Sequence, residues 1–578
     1  MKQLISVIFL CFIISNLSSQ DVLTTKVDSI FITDNASDIK KIIPEQTKIG
    51  RTPLATYFSE QSSSYIHTSG PGLLSTIRIE GLEARHTPIN VLGVNLNSPV
   101  NGVKDLTLIN GILLNNLHIG DRSFSGGGNI NGWEFFSAYN TNQNAHVDLS
   151  YTKNKKKLEY TASTAIDYNL NRYNYKLGDT ESQRENSQLI NYTYSEKYRF
   201  ITKKSLTDLI LYVQQSDRDI PNSITSTYDE ANQKDKNINI IAQHARSLKN
   251  SSLKLSTAYL FEKIDFSSFV VDTSVSRNNA FVLNIEWAKE YKHTQVKLAL
   301  DNRYDRTSAS FFIDHIDRLE QSLGLQFQNT TIPNIILSGD FRSRVLDTQN
   351  LFVDYHAKAA YKWRQLSFYT SFRKKNYLPT FNDLYWPSGG NEDLRNELIK
   401  TYKLGLLYKP NSSINASVIA YQNTGKNWIL WQPNNMGIWT PENINNVHNK
   451  GIDLSVIIKD IYKNGMVDIG ASFLNSRNVL TDKELIYRPS FKSYMTLSYI
   501  KNKVGVRYNI SYTSRRFIST DNALQVDAYM LHNLSVNYRL SKLGFHLHVK
   551  NILNTSYEII PYYPMPLRNV TFAASLKI

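Results

Sequence analysis

His546 and His548 are the pair of residues whose type and spacing most directly suggest chemistry. They stand two positions apart in a segment of alternating polarity, so both imidazoles lie on one face of a strand and could contribute to a metal site. No third ligand accompanies them, which favours polar lining instead. The acidic residues in the segment 170–186 do not follow the spacing of a calcium loop either. The sequence therefore predicts no metal site and no cofactor.

Glycines and prolines cluster in residues 70–99, around two short runs of β type at 76–79 and 89–92. Such a segment is compatible with a phosphate-binding loop, a small adhesive domain or a stopper inside a larger structure. A phosphate-binding loop needs a strand that leads directly into a helix N-terminus, whereas here the second element is another strand. We therefore expect the glycines to form the tight turns of a small sheet.

The 578 residues carry a formal net charge of +15, but the lysines and arginines are scattered and form no dense basic block. This distribution argues against nucleic-acid binding and favours solvated turns with some attraction for anionic lipid or ligand. Residues 1–20 combine a basic start, an apolar stretch and a small polar run, which predicts a secretory signal peptide. The only cysteine, Cys11, lies inside it, so we expect an exported mature chain without disulfides.

The elements that must position these residues are predicted from residue 131 onward, where short runs of alternating polarity are separated by turns. Such alternation is typical of strands with one apolar and one polar face. Short connections alternate with long ones, which is typical of outer-membrane barrels. The short connections include 409–413, 462–465, 501–503 and 541–544, and the long ones include 376–399, 433–446, 476–489 and 514–526.

The sequence thus predicts an all-β membrane protein: a 22-stranded antiparallel transmembrane β-barrel with an N-terminal α+β plug domain inside the lumen. We expect a signal peptide at 1–20, an N-terminal segment at 21–51, the plug at 52–130 and the barrel at 131–578. The predicted location is the bacterial outer membrane.

Five stretches of the sequence together carry a resemblance to one family. They are TPLATYFSEQSSSYIHTSGPGLLSTIRIEGLEARHTPINVLGVNLNSP (52–99), DLTLI (105–109), LPTFNDLYWPSGGNEDLRNE (378–397), NNVHNKGIDL (445–454) and the C-terminal 549–578. They resemble the TonB-dependent outer-membrane transporters, and within that family the cobalamin-receptor-like branch with its siderophore-receptor relatives.

The resemblance implies active import of a large scarce nutrient, a corrinoid first and a ferric siderophore second, driven by TonB and the inner-membrane proton gradient without an ATP site. A passive porin or an adhesin is the alternative, although neither needs a plug. An outer-membrane enzyme is a third interpretation, but no nucleophile and base stand out.

The resemblance implies a substrate site built from two plug loops, 67–74 and 97–104, and from an outer loop of the barrel. Ordinary turns are the alternative for the plug loops, and an interfacial aromatic belt is the alternative for the outer-loop aromatics. The candidate residues are Ser69, Pro71, Leu73, Asn97, Ser98 and Asn101 in the plug and Tyr385, Trp386 and Asn391 in the outer loop.

The resemblance also implies a TonB box, an extended segment that adds a strand to TonB. Its candidate residues are Val27, Ser29, Phe31 and Thr33, and a plug strand or a tail is the alternative. The implied partners are TonB with its inner-membrane complex, the imported ligand and outer-membrane lipid, with a surface lipoprotein as a further candidate and no nucleic acid. The family's Arg-Gly-Pro stretch is replaced by HIGDRSFSGGGNING (118–132), so coupling to TonB stays open.

Charge at the contact between plug and barrel departs from the family pattern. Glu80 stands where the family plug has arginine, Lys403 stands where the barrel has glutamate, and Asp453 corresponds to a second barrel glutamate. Alternation places Lys403 on the lumen face. We therefore predict that Glu80 and Lys403 form the family contact with reversed sign, since loss of one partner of an enclosed ion pair is costly. Two unrelated substitutions are the alternative.

Overall fold

A computed structural model describes residues 41–42, 54–109, 117–119, 122–125, 131–226, 231–268, 273–310, 312, 314–347, 350–387, 389–433, 438–444 and 446–578. The predicted signal peptide at 1–20 and the TonB-box candidates Val27, Ser29, Phe31 and Thr33 lie outside the described residues. Among the described residues, no helix combines the length and the apolarity needed to cross a membrane.

The wall of the molecule is a closed antiparallel barrel of 22 strands, as predicted. The last strand pairs with the first, with Thr571 opposite Asn140, and this pairing closes the sheet. In chain order the strands are β1 Gly132–Asn140, β2 Asn144–Lys155, β3 Leu158–Asn169, β4 Leu189–Ile201, β5 Ser205–Ile220, β6 Ala231–Ser247, β7 Ser251–Ser267, β8 Ser274–Glu290, β9 Thr294–Ala309, β10 Ile316–Asn329, β11 Ile335–Leu346, β12 Asn350–Trp363, β13 Leu366–Tyr377, β14 Glu397–Tyr408, β15 Ile414–Lys426, β16 Val447–Ile461, β17 Gly465–Asn478, β18 Phe491–Lys501, β19 Val504–Thr513, β20 Tyr529–Leu540, β21 Leu543–Lys550 and β22 Asn569–Lys577.

Alternation along each strand separates a membrane face from a lumen face. In β14, Tyr402 and Leu404 are 48% and 63% exposed on the outer surface, whereas Lys403 between them turns inward toward the plug. Short turns alternate with longer connections as predicted, except that the connections 141–143 and 347–349, at the end of the long loops, are also short. Outer-membrane barrels place their short turns in the periplasm and their long loops outside.

The described residues of the plug lie in the lumen and form one α-helix, α1 (Leu54–Gln61), and two small sheets. Strands Tyr65–His67 and Thr76–Arg78 form a hairpin, and a five-stranded sheet has the order Lys41–Ile42, Arg122–Ser125, Leu117–Ile119, Ile89–Val91 and Val94–Asn95. A 3-10 helix spans Ala84–His86. The two glycine-rich runs are therefore strands as predicted, but they belong to different sheets.

The apolar core of the plug is continuous with inward residues of the wall such as Ile241, and this shared burial favours folding of a polar segment inside the barrel. Leu54 and Phe58 are four residues apart on one face of α1, and both are buried. They belong to one cluster with the inward residues of the central strands, such as Val91 and Ile119, which have no exposed surface.

The long loops carry secondary structure of their own. A short helix, α2 (Phe381–Tyr385), lies in the loop 378–396. The remaining loop elements are hairpins or short strands, at Asn174–Leu177 with Thr180–Gln183, Trp428–Pro433 with Trp439–Ile444, Arg516–Phe517 with Gln525–Val526, Glu558–Ile560 with Tyr563–Pro564, and Lys483–Glu484 against β17.

Candidate functional site at the contact between plug and wall

The turn at Glu80 and Gly81 brings the plug backbone against the wall. Both residues have a left-handed backbone, with φ of 55° and 75°. The Asn423 amide donates to the Glu80 carbonyl at 2.8 Å, and the Asn449 amide donates to the Gly81 carbonyl at 3.1 Å. A Cβ at Gly81 would lie 2.9 Å from the Asn449 side chain, so glycine is required there by space as well as by conformation.

Two hydroxyl groups orient these amides. Thr401, Asn423, Asn449 and Ser476 lie directly opposite one another on four adjacent strands. The Thr401 hydroxyl donates to Asn423 Oδ1 at 2.7 Å, and the Ser476 hydroxyl donates to Asn449 Oδ1 at 2.5 Å. Because each amide oxygen accepts from a hydroxyl, each amide nitrogen is directed toward the plug. This polar row is therefore organised to bind plug carbonyl groups.

The side chain of Glu80 meets the residue predicted for it. Lys403 Nζ lies 2.9 Å from Glu80 Oε1, and the two side chains are 17% and 10% exposed. Asp453 lines the same cavity and accepts a hydrogen bond from the Ser472 hydroxyl at 2.6 Å. The predicted contact is thus present in the structure; that it holds the plug in place stays a prediction. We call Glu80, Lys403, Asn423 and Asn449 the Glu80 contact.

A second charged contact is more deeply buried. Arg85 of the plug donates to Asp383 Oδ2 at 2.9 Å, and its Nε lies 3.3 Å from Glu397 Oε2. His86 Nδ1 accepts from the Glu83 N–H at 3.2 Å, so the ring hydrogen is on Nε2, which donates to Glu397 at 2.9 Å. The Glu397 side chain has no exposed surface. We call Arg85, His86, Asp383 and Glu397 the Arg85 cluster.

Aromatic rings and loop backbone enclose the Arg85 cluster. The His86 ring packs against Tyr377 and Trp428, with ring centres 4.5 and 4.8 Å away. Glu397 accepts a further hydrogen bond from the Ile429 N–H at 2.8 Å, and Asp383 accepts one from the Trp431 indole at 2.7 Å. Such enclosed charges are stabilised only when each has its partners. The cluster therefore ties the plug to the hairpin 428–444.

The outer loop that carries α2 rests directly on the plug. The N–H groups of Phe381 and Asn382 donate to the carbonyls of Pro99 and Val100 at 3.0 and 2.9 Å. A Cβ at Gly102 would lie 2.8 Å from the Thr380 side chain, which shows how close the loop and the plug are. The loop 378–396 thus covers the plug loop 97–104.

The candidate residues of the plug loops mostly support the loops themselves. The Asn97 amide is fully used, because Oδ1 accepts from the Ile89 N–H at 3.1 Å and Nδ2 donates to the Gly102 carbonyl at 3.0 Å. Ser98 donates to Glu262 of the wall, and Asn101 Oδ1 accepts from the Val103 N–H. Their role in substrate binding stays a prediction.

The other candidates lie at the same end of the barrel. Leu73 is buried, Ser69 and Pro71 are half-buried, and the Pro71 carbonyl accepts from the Asn171 amide at 3.3 Å. In the outer loop, the Tyr385 ring packs edge-on against Phe312, Trp386 is half-buried, and the Asn391 N–H donates to the Asp383 carbonyl at 2.8 Å. The outer-loop candidates are therefore adjacent to the plug loop 97–104 through α2, whereas Pro71 lies beside Asn171.

Further plug charges are paired with the wall. Arg488 of the wall donates to Glu83 at 2.5 Å, and Arg78 of the plug lies 3.3 Å from the same carboxylate. Burial alone would raise the pKa of the Glu83 carboxyl, but these guanidinium groups outweigh it and hold that pKa well below its usual range. Arg218 of the wall donates to Asp105 at 2.7 Å.

Sequence reasoning missed the residues of the Arg85 cluster and the plug–wall pairs at Glu83 and Asp105. One signal was available: charged residues in a segment predicted to be enclosed need partners. The wall asparagines were missed as well, because a lumen-facing amide gives no sign in sequence of which carbonyl it binds.

His546 and His548 line the lumen. His546 Nδ1 is hydrogen-bonded to Asn537 at 2.8 Å, and His548 Nδ1 is hydrogen-bonded to Ser535 at 2.7 Å. In the part of the chain that the structure describes, no group of three metal-ligating side chains is found. A cavity of about 990 Å³ lies between the plug and the wall, lined among others by Glu80, Lys403 and His86.

Comparison with known proteins identifies the architecture. Residues 103–552 match the family model described as TonB dependent receptor-like, beta-barrel. The chain belongs to the TonB-dependent receptor family. This outer-membrane transporter family accounts for the closed barrel, for the plug inside it and for the alternation of short turns and long loops.

Curated relatives of this TonB-dependent receptor include two proteins named vitamin B12 transporter BtuB. The one from Vibrio vulnificus is 32% identical over 31% of this chain and 29% of its own length. The one from Photobacterium profundum is 27% identical over 34% of this chain and 33% of its own length. The chain therefore matches about a third of each relative.

Solved structures share the fold at low sequence identity. The siderophore receptor PirA from Acinetobacter baumannii aligns with a TM-score of 0.75 at 13% identity, over 95% of this chain and 100% of its own. The FrpB iron transporter from Neisseria meningitidis (F3-3 variant) aligns with a TM-score of 0.75 at 12% identity, over 92% and 98%. At such identities the likeness concerns the fold alone.

Proposed function

We propose that this TonB-dependent receptor imports a corrinoid across the outer membrane, with TonB supplying the force that moves the plug. The observation that carries the proposal is the enclosed plug, which meets its surroundings at the Glu80 contact and the Arg85 cluster. A passive porin or an adhesin does not need an enclosed plug. The partial matches to two vitamin B12 transporters support a corrinoid as the ligand.

In the proposed mechanism, ligand reaches the outer loop before it reaches the plug. The loop 378–396 covers the plug loop 97–104, so Tyr385, Trp386 and Asn391 are the first contacts. Candidates such as Asn97 are buried and would meet ligand only after α2 moves. Because Asp383 bonds both Arg85 and the Trp431 indole, movement of α2 would be transmitted to the plug.

Binding to the purified full chain tests the ligand class. Cobinamide, cobalamin and a ferric siderophore are titrated in parallel, and we expect saturable binding of the two corrinoids. Trp386→Ala should weaken corrinoid binding at least tenfold through loss of an aromatic face. Trp363→Ala is the matched control, since Trp363 is 52% exposed on the outer surface beside a short turn. If only the ferric siderophore binds saturably, the proposal of a corrinoid ligand is wrong, and a ferric siderophore is the ligand instead.

Uptake in cells tests the coupling to TonB. Deletion of residues 27–33, the predicted TonB box, should abolish uptake and leave binding to the purified protein unchanged. Uptake by the same strain without TonB is the control for the energy that TonB supplies. Equal uptake with and without TonB would contradict active transport and support a passive barrel.

A further inference from the structure

The two ends of the barrel differ in charge. The turns at one end, which we call the short-turn end, are 156–157, 202–204, 248–250, 291–293, 330–334, 364–365, 409–413, 462–464, 502–503 and 541–542. Every one of them except 330–334 contains lysine or arginine, and none contains aspartate or glutamate. In the long loops at the other end, aspartate and glutamate outnumber lysine and arginine. The short-turn end is therefore a basic ring.

Aromatic residues place this ring at the membrane interface. Trp363 and Tyr408 are 52% and 43% exposed, and they precede the turns that carry Arg364 and Lys409. Exposed tryptophan and tyrosine at strand ends are typical of the headgroup level of a membrane. Basic side chains one residue further along are thus positioned to meet lipid headgroups.

Arg364 and Lys409 stand next to each other in this ring. The Lys409 N–H donates to the Gln365 carbonyl at 2.9 Å, so the two turns are in contact. Both side chains are exposed, and among the described residues neither forms an ion pair. The two cations are therefore available to an anionic group from outside the chain.

An apolar groove of about 580 Å³ runs along the outer surface above these two turns. Its rim includes Tyr361 and Phe368, which lie opposite each other in β12 and β13, and Leu404 of β14. Small residues at Ala359 and Thr370 form the floor, because neighbouring positions carry larger side chains. At the rise of a strand, the rim begins roughly 10 Å from Arg364.

We propose that an anionic phospholipid of the periplasmic leaflet binds at this place, with its phosphate on Arg364 and Lys409 and one acyl chain in the groove. The cations supply charge complementarity to the phosphate, and the groove supplies apolar contact to the chain. The site lies on the outer surface, so it is separate from the proposed import path through the lumen.

Native mass spectrometry of the purified full chain tests the proposal. The protein is equilibrated with phosphatidylglycerol or with phosphatidylethanolamine of the same acyl chains, and we expect phosphatidylglycerol to be retained preferentially. In Arg364→Gln/Lys409→Gln its affinity should fall about fivefold for each charge removed. Lys483→Gln/Arg515→Gln, two exposed bases at the long-loop end, is the matched control and should retain it. Equal loss in both variants, or equal retention of the two lipids, would overturn the proposal.

Two further measurements separate headgroup from acyl chain. Thr370→Trp fills the groove and leaves the cations in place, so phosphatidylglycerol binding should weaken although the charge is unchanged. Inorganic phosphate in excess should not displace the lipid, because it lacks the chain. Unchanged binding by Thr370→Trp, or displacement by phosphate alone, would show that the groove holds no acyl chain and would overturn that part of the proposal.

Discussion

Two of the charged contacts of the plug, the Glu80 contact and the Arg85 cluster, differ in sign and in burial. In the Glu80 contact the plug supplies the acid and the wall supplies the lysine, and both side chains border the cavity. In the Arg85 cluster the plug supplies the arginine, and the outer loop and the wall each supply one carboxylate, with side chains that are 3% and 0% exposed. The reversed contact is thus the more accessible one, where an exchange of partners disturbs fewer neighbours.

The two contacts also differ in the kind of plug group that they bind. The Glu80 contact combines one ion pair with two amide bonds to the plug backbone, and such backbone bonds do not depend on which side chain the plug carries. The Arg85 cluster joins the plug to its surroundings mainly through the side chains of Arg85 and His86. We therefore expect substitutions in the Arg85 cluster to have the larger effect.

The largest effect is expected for Glu397→Ala. It leaves Arg85 with one carboxylate and removes the acceptors of His86 and of the Ile429 N–H, which should cost about 3–5 kcal/mol of plug stability. Hydrogen exchange of residues 84–91 in the intact barrel measures this. Glu181→Ala, on a hairpin in a long loop, is the control. Unchanged protection in Glu397→Ala would contradict the role of the cluster.

A smaller effect is expected for Asn449→Leu. The variant leaves the buried Gly81 carbonyl without its donor, which should cost about 1–3 kcal/mol. Limited proteolysis at the plug turn, compared with wild type, is the measurement. Asn537→Leu provides a comparison, because that asparagine binds His546 of the wall instead of the plug. If both variants loosen the plug equally, the polar row has no special function.

Charge reversal should give a measurable coupling in the Glu80 contact. Glu80→Lys places two cations together and should loosen the plug, and Lys403→Glu in the same chain should restore it. We expect an interaction energy of roughly 1–2 kcal/mol in the double-mutant cycle, since the pair borders a cavity. If the effects of the two substitutions are additive, Glu80 and Lys403 are not coupled, and their departures from the family pattern are unrelated.

The smallest effect on plug protection is expected when the pH is lowered to mildly acidic values. Burial would raise the pKa of the Glu60 carboxyl at the end of α1, but Lys550 and His548 outweigh it and lower that pKa to about 2. A lowered pKa stabilises the fold above the ordinary value of 4.5, and this contribution is lost as the pH falls from there toward 2. Plug protection near α1 should therefore be constant between about pH 7 and 5. Glu60→Gln should remove the decline at lower pH.

The fold followed from the sequence to a large extent because its signals are local. Period-two alternation such as that at 543–550 shows which face meets lipid, and connection lengths show which end carries the loops. The glycines at 70, 72, 81 and 93 indicated turns, and the last three of them have a left-handed backbone. The reversed pair Glu80 and Lys403 was also accessible, since resemblance to a family supplied both positions.

What the sequence determined by itself is the membrane barrel, the strand count and the presence of a plug, because these depend on periodicity and chain order. Only the tertiary structure decided which side chains meet across the lumen. Arg85 and Glu397 are more than three hundred positions apart, and their contact depends on how the plug is rotated within the wall. The same holds for Asn423 and Asn449, whose amides reach plug carbonyls only through strand register. Contacts of this kind depend on the closure of the whole barrel, which no local pattern contains.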